Sequence, residues 1–414
     1  MRRVVITGMG AVTPFGVGVE ALWNSVKSGA NGVGKVTRID VTDMPTKVAA
    51  EVRDFIPFAY IDKKDAKRMD RFTQYALAAS MFAFEQSGLK LGDEDPTRAG
   101  VIIGSGVGGL ETLEEQHKIL TERGPGRISP FFIPMMIANM ASGQVAIQFG
   151  FKGFNECVVT ACSSGTNAIG DAFRVIRDGR ADIMFAGGSE AVVTPMAFAG
   201  FCAMKAMTTN PDPETACRPF DRRRDGFVLG EGAGVVVLEE YGRAAARGAK
   251  ILGEVAGYGC TDDAFHIVAP AEGGEGAARC MRLALEDARI GPEQVGYINA
   301  HGTSTDYNDR YETNAIKDVF GAHAYKLSVS SSKSMTGHLL GATGAVEAII
   351  TCKALTEGFF PPTVHYGDPD PDCDLDYIPN AGRRIDGVNC AISNTFGFGG
   401  HNATLTLLKA ENIA

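Results

Sequence analysis

Short apolar runs alternate with helix-patterned segments along almost the whole chain, and that alternation admits few folds. The runs at 4–7, 100–103, 183–186, 234–238, 297–300, 327–330 and 391–393 read as buried strands. Between many of them, as at 72–87, 277–288 and 346–355, apolar residues recur at helical spacing. Strands lacking an alternating polar face need cover on both sides. The pattern predicts an α/β fold with buried, largely parallel strands.

The second half of the chain echoes the first. A run ending at Cys162 leads into a helical pattern that closes at Arg177-Asp178-Gly179. Later, a run over 327–331 leads to Lys333 and His338, then to a helical pattern that closes at Glu357-Gly358. Gly100-Val101-Ile102-Ile103-Gly104-Ser105-Gly106 similarly parallels Gly296-Tyr297-Ile298-Asn299-Ala300-His301-Gly302. The shared order predicts an internal duplication, divided here into 1–250 and 251–414. One active site at the junction is expected, because ligands of α/β folds gather at the carboxyl ends of strands.

Cys162 is the strongest candidate for chemistry. It ends an apolar, β-branched run and precedes apolar residues at helical spacing from Ala168 to Ile176. Ser163, Ser164, Thr166 and Asn167 are good N-terminal capping residues. The free N–H groups and positive dipole of a helix start favour thiolate over thiol, which predicts a nucleophile. Cys157 lacks this setting and reads as a small buried side chain. Two further polar clusters follow apolar runs: His301-Gly302-Thr303-Ser304-Thr305, and Lys333 through His338. Two histidines, each beside a glycine after a strand, are hard to read as purely structural. The loop Phe396-Gly397-Phe398-Gly399-Gly400 offers backbone N–H groups and an apolar gate, or else a tight turn between two strands.

Composition narrows the class. A net charge of −9 argues against generic nucleic-acid binding. The nine cysteines form no CxxC pair and no Cys/His zinc pattern, so no metal site is expected and the thiols read as reduced and cytosolic. The apolar start is interrupted by Gly8, Gly10 and Pro14, which suits a first strand better than a signal peptide. No apolar run reaches the length of a membrane span.

Taken together, these motifs resemble the type II β-ketoacyl-acyl carrier protein synthases, elongating condensing enzymes of the thiolase superfamily. The resemblance spans essentially the whole chain. It includes Thr7-Gly8-Met9-Gly10, Ala161-Cys162-Ser163-Ser164, Arg218-Pro219-Phe220-Asp221, Arg224-Asp225-Gly226-Phe227, Gly230-Glu231-Gly232, His301-Gly302-Thr303-Ser304-Thr305, Lys333-Ser334, Gly337-His338 and Gly397-Phe398-Gly399-Gly400. Ser129-Pro130-Phe131-Phe132 through Met136 points to the elongating type II branch.

The resemblance implies a thiolase fold, with two duplicated halves in a five-layered α-β-α-β-α subunit. It implies a homodimer with no dissociable cofactor, whose substrates ride on the phosphopantetheine arm of acyl carrier protein. Cys162 would carry the acyl chain, and His301 and His338 would act on the malonyl thioester. The N–H groups of Cys162 and Phe398 would form an oxyanion hole. Lys333 would be the active-site lysine, with Glu312 as its partner and Asp309 in support. Thr303 and Thr305 would hold the pantetheine arm, or serve as turn and capping residues. Val107, Phe132 and Phe201 would line the acyl tunnel, Phe132 across the dimer interface. Lys64, Lys67, Arg68 and Arg71, on one helical face, would dock the acidic carrier protein with Arg127 and Lys205; a plain solvated face is the alternative. Arg222, Arg223 and Arg224 read as structural, tied to carboxylates.

Asp306, His401 and Val268 depart from the commoner residues of the family and bear on gating and substrate preference. A polyketide ketosynthase would share every catalytic residue. A noncatalytic chain-length subunit would have lost the nucleophile, which Cys162 retains. Thiolase chemistry needs a second cysteine where this chain has its histidine pair.

Overall fold

A computed structural model describes residues 2–410. In the first half, strand β1 (Val4–Thr13) precedes helix α1 (Arg71–Ser87), β2 (Ala99–Gly104), α2 (Met140–Phe149), β3 (Asn155–Glu156), α3 (Ser164–Arg177), β4 (Ile183–Glu190) and β5 (Gly232–Glu240). The second half runs β6 (Gly253–Asp262), α4 (Glu275–Ala288), β7 (Tyr297–Asn299), α5 (Asp306–Phe320), β8 (Ser328–Ser330), α6 (Thr343–Glu357), β9 (Cys390–Gly397) and β10 (His401–Lys409). The main strands form one path, β8-β7-β9-β10-β6-β1-β5-β4-β2-β3. Read outward from the central β6–β1 pair, the orders β6-β10-β9-β7-β8 and β1-β5-β4-β2-β3 match strand for strand. The expected duplication is thus visible in the topology.

The two half-sheets meet where Val4, Val5 and Ile6 pair with Val255, Glu254 and Gly253. Helices α3 and α6 pack against each other and against strands of both half-sheets. Helices α1 and α2 cover the outside of the first half-sheet, and α4, backed by α5, the outside of the second. Five layers result, α-β-α-β-α. A helix enclosed in this way must be apolar almost all round, and α6 is buried along nearly its whole length.

The strands are not largely parallel, as the sequence pattern suggested. Pairings β2–β3, β2–β4, β7–β8 and β7–β9 are parallel, whereas the whole centre from β4 to β9 is antiparallel. Apolar runs report burial on both faces. Here the middle helix layer imposes that burial on antiparallel strands too.

Glycines in β1 and β6 let helices approach closely. A Cβ at Gly8 or Gly10 would stand 2.0 and 1.9 Å from the carbonyl oxygens of Ala83 and Ala79 in α1. At Gly257 and Gly259 it would stand 2.3 and 2.1 Å from those of Ala284 and Cys280 in α4. Both contacts exclude any side chain, and they fall at equivalent places in the two halves.

Candidate active site

Cys162 lies in a 3₁₀ turn, Ala161–Ser163, immediately before α3. The expected strand over 157–160 is absent, because β3 is only two residues long. The connecting chain is held instead by the Ser105 N–H on the Val158 carbonyl (3.2 Å) and the Thr160 N–H on Ser164 Oγ (3.0 Å). Nor do the serines cap α3. Ser163 Oγ donates to the carbonyls of Thr395 and His401, and Ser164 Oγ to that of Ala161. The Ser163 hydroxyl thus fastens the turn to the β9–β10 hairpin of the other half, and the Ser164 hydroxyl closes the turn on itself.

The thiol does not have the depressed pKa that a helix start alone would give. Burial pushes it up to about 11, against the opposing pull of the Phe398 N–H, the Lys333 charge and the N–H of Cys162 itself. Desolvation outweighs the dipole because the side chain is almost fully enclosed.

His301 follows β7, and its backbone is fixed by Glu312. The N–H groups of His301 and Gly302 each donate to one oxygen of that carboxylate at 2.8 Å. His338 follows a short helical turn, Lys333–Thr336. The Leu340 N–H donates to its Nδ1 at 3.3 Å, so Nδ1 is an acceptor and the proton sits on Nε2. Thr343 Oγ1 lies 3.0 Å from the same nitrogen. The two imidazoles meet edge to face, centroids 5.4 Å apart. Burial, reinforced by the Lys333 charge, holds both well below the usual histidine range, so both are neutral.

Glu312 is not the ion-pair partner of Lys333. Lys333 Nζ donates to Glu347 Oε1 at 2.6 Å, and both side chains are buried. Glu312 is committed to backbone donors and to Asn394 Nδ2. Burial pushes the carboxyls of Glu347 and Glu312 each up to about 7. Glu347 was missed at the sequence level. Its signal was a lone carboxylate inside the apolar stretch Ala345 to Ile350.

Asp309 accepts from the N–H groups of Thr303 (2.9 Å) and Phe220 (2.8 Å). The hydroxyls of Thr303 and Thr305 are 2.8 Å apart. Arg224 Nε donates to the Thr305 carbonyl, while its other nitrogens reach Asp370 and Asp306. Arg223 pairs with Asp221. These two arginines are structural, as expected. Asp306 opens α5 without displacing Glu312 from its backbone donors.

Phe398, Gly399 and Gly400 cross between β9 and β10, with Gly397 opposite His401. Gly399 and Gly400 have φ near +85°, which favours glycine. The Gly399 N–H donates to the Ile267 carbonyl, and the Asp263 N–H to that of Gly400, so this hairpin is tied to the loop bearing Val268. His401 Nδ1 lies 3.5 Å from Asp262.

A cavity of about 420 Å³ brings Cys162, His301, His338, Thr303, Thr305 and Phe398 together, with Val268 and Lys205 also on its wall. Val107, Phe132 and Phe201 are not on that wall. Phe201 packs in the apolar cluster around Cys162, edge-on to Phe227. Val107 is 44% exposed, and Phe132 is half-buried in the short helix Phe132–Met136.

The basic residues do not share one helical face. Lys64 lies in a four-residue helix that ends before Lys67, and Asp70 caps α1, which starts afresh at Arg71. Arg71 turns to Glu111. Lys64, Lys67 and Arg68 instead ring a shallow depression with Phe131, over whose ring the Arg68 guanidinium sits at 4.5 Å. Arg127 is exposed on a separate turn. Among the described residues, no three His, Cys, Asp or Glu side chains converge as a metal-binding group, and no helix is long and apolar enough to cross a membrane.

Residues 1–244 match the β-ketoacyl synthase N-terminal domain, and residues 252–367 the C-terminal domain. A 3-oxoacyl-[acyl-carrier-protein] synthase 2 from Synechocystis is 52% identical over 99% of each chain. One from Staphylococcus aureus is 53% identical over the same share. Among solved structures, a β-ketoacyl synthase from Burkholderia phymatum superposes with a TM-score of 0.92 at 37% identity, covering 99% of this chain and all of the other. A ketosynthase in complex with its type II PKS acyl-carrier protein gives 0.92 at 36% identity, with the same coverage. The fold is therefore thiolase-like, and the chain belongs to the β-ketoacyl synthase family.

Proposed function

We propose that this enzyme lengthens acyl chains by decarboxylative condensation in fatty-acid synthesis, with Cys162 as the acyl carrier. The observation that carries the residue assignment is the convergence on one cavity of a thiol, the Phe398 N–H and two neutral imidazoles drawn from both halves. The Cys162 sulfur attacks the thioester of an acyl-acyl carrier protein. The N–H groups of Cys162 and Phe398 hold the oxyanion, and the thiol proton departs with the pantetheine sulfur. Malonyl-acyl carrier protein then enters. Nε2–H of His338 and the His301 ring stabilise the enolate oxygen as carbon dioxide leaves. The enolate carbon attacks the acyl carbonyl, and the C–S bond to Cys162 breaks with its electron pair staying on sulfur. A proton from solvent restores the thiol, and 3-oxoacyl-acyl carrier protein is released. Neutral imidazoles suit this work, because they donate without first giving up a charge.

Lys333, neutralised by Glu347, holds the site's electrostatics, and Thr303 and Thr305 grip the pantetheine arm. Acyl carrier protein docks over Lys64, Lys67, Arg68, Arg127 and Lys205. The subunit pairs with a second copy. Exposed Val107, Phe131 and Ile133 support that pairing, which would enclose an acyl tunnel along Val107, Phe132 and Phe201. The reaction needs no dissociable cofactor or metal and belongs to the cytoplasm. Catalysis needs both halves, taken as 1–250 and 251–414. The test is intact-protein mass spectrometry after incubation with acyl-acyl carrier protein. An acyl adduct on wild type, absent from Cys162→Ala, is expected; an adduct retained by that variant overturns the assignment. The ketosynthase neighbour with its PKS carrier protein favours a polyketide substrate as the second reading.

A further inference from the structure

Glu190 ends β4, is completely buried, and among the described residues has no cation paired with it. Its carboxylate is surrounded by donors instead. Oε2 accepts from the N–H groups of Gly106 (2.7 Å) and Gly341 (3.0 Å). Oε1 accepts from Ser105 Oγ (3.0 Å) and the Val107 N–H (3.1 Å). Gly341 comes from the second half, so one carboxylate ties the loop after β2 to the turn beside His338. The approach leaves no room for side chains. A Cβ on Gly341 would stand 2.5 Å from the Gly106 nitrogen and 2.8 Å from Glu190 Oε2.

The internal duplication gives this knot a meaning. The 3₁₀ turns Ala161–Ser163 and Leu340–Ala342 occupy equivalent places, each just before the central helix of its half. Each opens on a non-glycine residue at positive φ, Ala161 at +51° and Leu340 at +47°. Gly341 is therefore the counterpart of Cys162. Ser105 is likewise the counterpart of His301, each following an equivalent strand. Where the first junction opens into the reaction cavity, the second is filled by the Glu190 carboxylate.

Leu340 sits between two anchors. Its own N–H donates to His338 Nδ1, and the next N–H donates to Glu190. A left-handed conformation at leucine persists only when its surroundings enforce it. We infer that Glu190 plugs the second, degenerate junction of the duplicated fold and is a positioning residue for His338. By holding Leu340 in place it keeps Nδ1 an acceptor, and so keeps the Nε2 proton aimed into the cavity. This rests on the proposed role of His338 in malonyl decarboxylation.

The experiment measures two rates separately, acylation of Cys162 from acyl-acyl carrier protein and decarboxylation of malonyl-acyl carrier protein. Glu190→Gln turns an amide donor toward the backbone donors or leaves them unmatched. It should slow decarboxylation by about 10- to 100-fold while slowing acylation several-fold less. Glu190→Ala leaves an unfilled ring of donors, and formate should restore its decarboxylation selectively. Equal loss of both rates, or decarboxylation at the wild-type rate in Glu190→Gln, overturns the inference. Where Glu190→Gln does not fold, Glu190→Asp is read in the same way. If wild type itself neither acylates nor decarboxylates, it is the proposed function that falls.

Discussion

The two halves share one topology and divide the chemistry unequally. In each, a short flank strand leads through a 3₁₀ turn into a central helix. The first half spends that junction on Cys162, whose side chain enters the cavity. The second spends the residues just before it on Lys333 and His338, and the matching turn position is a glycine. Duplication thus supplied two equivalent strand ends, but only one opens to substrate. Both histidines line the same cavity as the thiol of the other half, and the Lys333 charge acts on that thiol while its ammonium stays paired with Glu347. The lesson is that a repeated fold repeats its backbone scaffold, while a site needs complementary side chains from unlike copies.

That comparison breaks most sharply at the nucleophile. Cys162→Ala should abolish acyl-enzyme formation and leave thermal unfolding close to wild type, since a small side chain is trimmed beside an existing cavity. Acylation at a cysteine of the second half would mean that the first half does not own the loading step. On the second half, His338→Ala or His301→Ala should lower malonyl decarboxylation by about 100- to 1,000-fold and slow Cys162 loading far less. Parallel losses in both steps would erase the division of labour between the halves.

The buried pair gives the next largest effect. Lys333→Met leaves Glu347 without its cation, and the loss of stability should be about 3–5 kcal/mol by denaturant unfolding. Replacing both residues, as Lys333→Met with Glu347→Leu, should recover most of it. If the single variant unfolds like wild type, the pair does not hold the second half's side of the site.

A pH test follows from the imidazoles. Burial holds both below the ordinary value of 6.5, so the unfolded chain takes up protons that the folded site refuses. Their contribution is fully present above that value and is lost as the pH falls through it. Glu312 and Glu347, raised to about 7, act in the opposite sense, so the test is the difference between proteins. From pH 7 to pH 5.5 the melting temperature of His301→Gln with His338→Gln should fall less, or rise more, than that of wild type. An unchanged slope would show that the rings are protonated in the folded state. The smallest effect belongs to the surface. Lys64→Glu with Arg68→Glu should weaken use of carrier-bound substrate several-fold at low salt, less at high salt, and spare a small thioester.

Much of this was legible in the sequence. Seven of the apolar runs are strands and the one ending at Cys162 is not, while the helices at 71–87, 275–288 and 343–357 contain the predicted segments. Strands β6 and β10 escaped notice because the face they turn to α4 is glycine or polar, although Ala403, Leu405 and Leu407 on the other face of β10 join the central core. Gly257 and Gly259 make room for α4, while Asn402, Thr404 and Thr406 are buried with hydrogen-bond partners. Cys162, His301, His338 and Lys333 were visible because their residue types carry chemistry and follow apolar runs in a repeated order.

What the sequence determined by itself was this set of reactive residues, the doubly buried strands and the two-fold repeat, all written in local pattern. Partnership was decided by the tertiary structure alone. Lys333 took Glu347 rather than Glu312, because Glu312 was already satisfied by the His301 and Gly302 N–H groups. The thiol was raised rather than lowered, because enclosure by both halves outweighs a helix dipole. Local pattern records what each segment buries. It does not record which distant group faces a buried charge, and in a low-dielectric interior that group sets the chemistry.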